Sequence, residues 1–153
     1  TALEILDHAG VTMRPSLLPF TSCTTLEGYV ELLAFIEQHE LIEQIDPVPL
    51  SIRLLVPPGS ALIGRAETEA WLGPLDEANF THTWVAQDPR LDRLQLWVAE
   101  IAERAAQQNA CPYETFSAIK RATYHVAEMP TPEPVLQKTS RRRSARLTES
   151  WFC

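Results

Sequence analysis

Residues 11 to 56 carry the pattern that most limits the fold of this chain. An apolar run, VTMRPSLLPF, is followed by an amphipathic stretch, TTLEGYVELLAFIEQHEL, and a second apolar run, VPLSIRLLVP. Together they predict a strand, a helix and a strand. Parallel strands need a long crossover, usually a helix, whereas antiparallel strands close with a tight turn. All-parallel sheets occur almost only where helices cover both faces. One such unit is visible, so the pattern predicts an α/β chain, α+β by content, that is one portion of a larger sheet or barrel.

Local signals set the limits of each piece. Thr24 is expected to cap the helix, with Glu27 three residues later closing a capping box. Leu26, Tyr29, Val30, Leu33 and Ile36 then mark one apolar face at helical spacing. Pro15 and Pro19 cannot donate to a ladder, so the first strand should be short and end before Pro19. Leu50 to Val56 is apolar apart from Ser51 and Arg53, as expected of a strand buried on both faces. Pro57-Pro58-Gly59 ends it.

Elsewhere the signals are mainly helical. Residues 2–9 read as a helix stopped by Gly10. Ser60 to Pro89 predicts a loop with one short helix. Asp88-Pro89 opens an amphipathic helix with Leu91, Leu94, Val98, Ile101 and Ala105 on one face, ending near Asn109. Pro112 suits the first turn of another helix, lined by Phe116, Ile119, Thr123 and Val126. These two helices predict an antiparallel pair. MPTPEPV, residues 129–135, reads as an extended linker. The expected division is barrel strands and helix over 1–63, a helical extension over 64–128, and linker, Arg-rich segment and tail over 129–153.

Charge and cysteine content exclude several classes. A formal charge of −7 argues against a general nucleic-acid binder. Lys138, Arg141, Arg142, Arg143 and Arg146 hold five of the thirteen basic residues, leaving the body more acidic still. No apolar run approaches the ~20 residues that span a bilayer, so no membrane association is expected. Three scattered cysteines suggest reduced thiols and a cytoplasmic setting. Four scattered histidines lack the spacing of a zinc site, and no metal ligand is expected.

Arg14 and Arg53 interrupt apolar runs, and a buried guanidinium is costly unless paired. Arg53 lies near the carboxyl end of its strand, where ligands of parallel sheets gather, and could meet a carboxylate or phosphate there. The ordinary alternative for both is an ion pair with an acidic helix residue. The Pro57 to Ser60 loop could approach a ligand with its backbone, against a plain strand-ending turn, and Cys23 could be a ligand or nucleophile, against a small buried residue; His39 and His125 read as surface or satisfied polar groups. SRRRSAR reads as a solvated tail or a contact for an acidic partner. Trp151 and Phe152 hint at docking, and Cys153 is a candidate redox thiol.

The stretch AGVTMRPSLLPFTSCTTLEGYVELLAFIEQHELIEQIDPVPLSIRLLVPPGSALI resembles the second half of the incomplete barrel of radical S-adenosylmethionine enzymes. It is similar to the fifth strand, fifth helix and sixth strand of members related to the B12-binding subgroup. The ending LTESWFC resembles the carboxyl tail of a subgroup named for its terminal CUAEP or CCAEP motif. The resemblance covers residues 1–63 and 147–153. It implies a parent enzyme that cleaves S-adenosylmethionine reductively at a 4Fe-4S cluster, with cobalamin a further cofactor it admits.

The cluster motif of that family, C-x-x-x-C-x-x-C, is missing from this sequence. The resemblance therefore implies a portion that is inactive alone and binds no cofactor by itself. By position it implies that Arg14, Ser16, Arg53, Leu55 and Val56 belong to the wall facing S-adenosylmethionine. The expected partners are the N-terminal part of the parent chain and, through exposed strand edges, a second copy. Those edges are expected to pair with another chain unless the 90–128 helices cover them. A UGA codon after Cys153 is expected if the tail continues with selenocysteine. Two alternatives stand beside this one: a stand-alone helical interaction module, and an adaptor whose basic tail engages an acidic partner.

Overall fold

A computed structural model describes residues 2–136 of the chain. In chain order these form α1 (Ala2–His8), α2 (Leu26–Gln38), 3-10 turns at Ile42–Gln44 and Val48–Leu50, α3 (Ala66–Glu69), β1 (Leu72–Asp76), β2 (Thr81–Trp84), α4 (Pro89–Gln108) and α5 (Pro112–Val126). The described part is thus mixed α/β, with five helices and a two-stranded antiparallel sheet.

The core lies where α2, α4 and α5 meet. Leu33, Leu94, Val98 and Ile119 are fully buried, and Leu26, Ile36, Leu91 and Phe116 pack with them. The apolar faces anticipated for these helices are the ones that pack. Asp88 caps α4 by accepting from the Arg90 amide, and Pro89 follows in the first turn. The cap of α2 differs from expectation by one residue. Thr25 accepts the Gly28 amide at 3.0 Å, while the Thr24 hydroxyl turns back to the Pro19 carbonyl at 2.8 Å.

The helices end alike. After α1, α2, α4 and α5 a left-handed residue, Gly10, Glu40, Asn109 or Glu128, lets the next amide reach back to a carbonyl five residues earlier. Val11, Leu41, Ala110 and Met129 make these bonds, satisfying carbonyls that would otherwise lack partners.

The two expected parallel strands are not formed as strands. What remains is one parallel bridge, Phe20 with Arg53, in which the Phe20 amide donates to Ile52 and the Leu54 amide to Phe20. Pro15 and Pro19 remove donors before the bridge, and Pro47 and Pro49 set a 3-10 turn just ahead of Ser51. Burial on both faces is corrected too. Leu55 is 69% exposed and Ile52 38%, whereas Val56 is sealed. The helix between them, α2, stands as expected.

The sheet instead lies within residues 60–89, where a loop with one short helix was expected; the short helix is α3. β1 and β2 form a hairpin with an irregular register between Leu72 and Leu75. Gly73 sits in that irregularity, and a Cβ there would come within 2.4 Å of the Thr83 hydroxyl. Asp76 closes the turn by accepting from the Ala78 and Asn79 amides. Among the described residues no helix is long and apolar enough to cross a membrane.

Candidate functional site

Arg53 occupies the most organised polar cluster. The bridge to Phe20 fixes its backbone, and its side chain reaches towards β2 and α4. The guanidinium carbon lies 3.8 Å from the centre of the Trp84 ring, a cation–π stack. One nitrogen donates to Asp92 in an ion pair, and another donates to the Trp84 carbonyl at 2.7 Å. The Trp84 indole N–H donates to the Leu54 carbonyl at 2.7 Å, and Trp71 meets the same ring edge-on.

Further bonds tie residues 51–56 to their surroundings. Gln95 of α4 donates to the Ser51 carbonyl, the Val56 amide to the Thr81 hydroxyl, and the His82 amide to the Val56 carbonyl. Helix α4 thus covers part of the segment. This arrangement is a clamp. The fork of Arg53 is already committed to a carboxylate and a carbonyl, which matches the ion pair with an acidic helix residue rather than an open anion site.

Arg14 pairs with Asp46, both about a third exposed. Ser16 is exposed, Leu55 faces solvent, and Val56 is buried in the body. Of the five residues expected on a wall facing S-adenosylmethionine, Arg14 and Arg53 are thus held by carboxylates, Ser16 and Leu55 are exposed, and Val56 is buried. Cys23 is exposed rather than buried. The His39 ring packs on Phe35 and that of His125 on Trp97. Gly59 takes a left-handed turn that bends the chain after Pro57 and Pro58. Lys138 to Arg146, Trp151, Phe152 and Cys153 lie outside the described residues. No group of three or more His, Cys, Asp or Glu able to hold a metal ion occurs among the described residues.

A second feature was not anticipated. A groove of about 400 Å³ runs between the end of α2, the first turns of α5 and residues 133–136. Ile42, Tyr113 and Val135 supply apolar wall, while Glu37, Glu40, Glu133 and Lys120 bring charge. Lys120 pairs with Glu37 at 2.5 Å, and the Val135 amide donates to Ser117 of α5 at 3.2 Å, pinning the proline-rich strap. Acidic residues at the end of α2 and inside PEP were the available sequence signal. Their convergence depends on the strap folding back onto α5, which spacing alone does not reveal.

No family model matches the chain, and no curated protein or solved structure matches it significantly.

Proposed function

We propose that this chain is the C-terminal portion of a radical S-adenosylmethionine enzyme, without catalytic power of its own. In that role residues 11–56 complete the sheet of the parent barrel and the helices support it. The observation that carries the reading is the parallel contact between Phe20 and Arg53 across helix α2. It falls at the junction that resembles the fifth and sixth strands of that family. The side chains around it bind the segment to the body and perform no chemistry. The 4Fe-4S cluster and the reductive cleavage of S-adenosylmethionine belong to the half that carries the three-cysteine motif. Cytoplasmic localisation and assembly with that half follow from the same reading.

The test is the upstream reading frame. It is expected to encode C-x-x-x-C-x-x-C in frame with residue 1, and the joined protein to bind iron and sulfide and release 5′-deoxyadenosine. A frame that lacks the motif, or joined protein that binds no cluster, would refute the assignment. The codon after Cys153 tests the selenocysteine reading separately, where UGA is expected and a UAA stop or any sense codon would refute it.

The sealed interior formed by α2, α4 and α5 favours a second reading, a helical interaction module that folds unaided. It predicts a start codon near Thr1 and no cluster motif upstream.

A further inference from the structure

We propose that the outer face of α4 is a contact for a second copy of this chain, docked antiparallel on the same helix. The proposal is independent of any radical chemistry in a parent protein. Leu91, Leu94, Val98 and Ala102 turn into the core, so the opposite stripe of α4, with Arg93, Leu96, Trp97 and Glu100, faces outward. At its middle Leu96 is 64% exposed and Trp97 39%, two adjoining apolar side chains on an otherwise polar face. The Trp97 ring is already steadied edge-on by His125 of α5, so covering it demands little further ordering. Arg93 and Glu100 enter no salt bridge among the described residues.

The order of these four residues selects the occupant. A two-fold interface sets one patch against itself, so the patch must be self-complementary. Arg93 lies a turn before the Leu96-Trp97 pair and Glu100 a turn after it, equally far from the midpoint. When an antiparallel copy crosses at that midpoint, Arg93 of each chain meets Glu100 of the other. Leu96 and Trp97 of both copies then share one apolar layer between the two ion pairs. A parallel copy would set arginine on arginine and glutamate on glutamate, which is repulsive. The chain's formal charge of −7 opposes self-association. In about 0.15 M salt, however, charges more than roughly 8 Å apart are largely screened, and the facing pairs decide. So small a patch supports weak, concentration-dependent pairing and no permanent dimer.

The experiment is sedimentation equilibrium of the full chain at concentrations from about 10 µM to about 1 mM. The mean mass is expected to rise from the 17.2 kDa of one chain towards twice that value. Leu96→Glu, at an exposed position, should hold it at one chain. Arg93→Glu and Glu100→Arg should each weaken pairing at least about tenfold, because both ion pairs turn repulsive. Combined in one chain, the two reversals should restore pairing. The two single variants, mixed in equal amounts, should pair with each other more tightly than either does with itself, since each supplies the charge that the other lacks. Unchanged helical circular dichroism in every variant separates loss of pairing from loss of fold.

A mean mass fixed at one chain throughout would overturn the proposal and leave α4 with an ordinary solvated face. Pairing that survives Leu96→Glu, or that ignores the charge reversals, would also overturn it, because the contact would then lie elsewhere, for instance along residues 12–18.

Discussion

Tyr29 shows how one hydroxyl couples packing to pH. Its ring is 1% exposed and stacks on Phe20, and its O–H donates to the Leu50 carbonyl at 2.8 Å. Burial pushes its pKa up, because a phenolate there would lose water and gain no cation. A raised folded value means stability present below the unfolded value of about 10 and lost as pH climbs above it. Urea midpoints should therefore fall above about pH 10, and Tyr29→Phe should flatten that fall. At neutral pH the same variant should cost about 1–2 kcal/mol, since the buried Leu50 carbonyl loses its donor. An alkaline limb identical in parent and variant would assign it to another group.

Glu40 and Glu128 pose the opposite problem, a β-carbon in left-handed backbone with φ of 57° and 56°. That conformation costs a non-glycine residue roughly 1–2 kcal/mol, against the roughly 0.5–1 kcal/mol that glycine loses in unfolded-state entropy. Glu128→Gly should therefore raise stability by about 0.5–1 kcal/mol in urea unfolding, and an unchanged or lowered midpoint would contradict this balance. Gly10 and Asn109 were readable as helix stops because those residues favour the conformation. The glutamates were not readable, since only the bonds from Leu41 and Met129 reveal the motif.

Among the elements, the helices were legible and the strands were not. Leu91, Leu94 and Val98 repeat on one face of α4 whatever surrounds it, whereas a parallel strand exists only if a neighbour supplies its ladder. The run 50–56 had strand composition but one bridge's worth of pairing. The real hairpin escaped notice because its turn, residues 76–80, lacks the Asn-Gly or Asp-Gly pair that signals tight turns. Its first strand also contains Gly73-Pro74, which reads as a break. The candidate site was half legible: an acidic helix partner for Arg53 was anticipated, but Trp84 arrives from the unforeseen hairpin.

Two substitutions test these contacts. Arg53→Lys keeps the charge but loses the fork and the planar stack, and should cost about 1–2 kcal/mol. A free anion-binding arginine would be nearly neutral for stability, so a change under about 0.5 kcal/mol would reopen that role for Arg53. Gly73→Ala should cost about 1–3 kcal/mol, because the new methyl overlaps the Thr83 hydroxyl and crowds its carbonyl, 3.1 Å away. Thr83→Ala in the same chain should recover part of that loss. Equal melting of single and double variants would show that the backbone, not the hydroxyl, sets the limit.

For the whole molecule, the contrast between a closed helical core and a stretch outside every helix and strand gives the barrel reading a measurable consequence. Leu33, Leu94, Val98 and Ile119 are buried from all sides within this chain, so amides in α2, α4 and α5 should exchange only by global opening. Residues 12–18 belong to no helix or strand, and the amides of Thr12, Met13, Ser16, Leu17 and Leu18 should exchange much faster than those of the core helices. If residues 11–56 complete a barrel sheet, joining the upstream part must give this stretch a neighbouring strand. Hydrogen exchange on the joined protein should then slow residues 12–18 and the amides of Arg53 and Leu55 by at least about a hundredfold, while α4 and α5 change little. The same rates in both forms would mean that the upstream part adds no strand here. The parallel bridge would then be a local feature of a self-contained helical domain, and the resemblance to a barrel would end at the sequence.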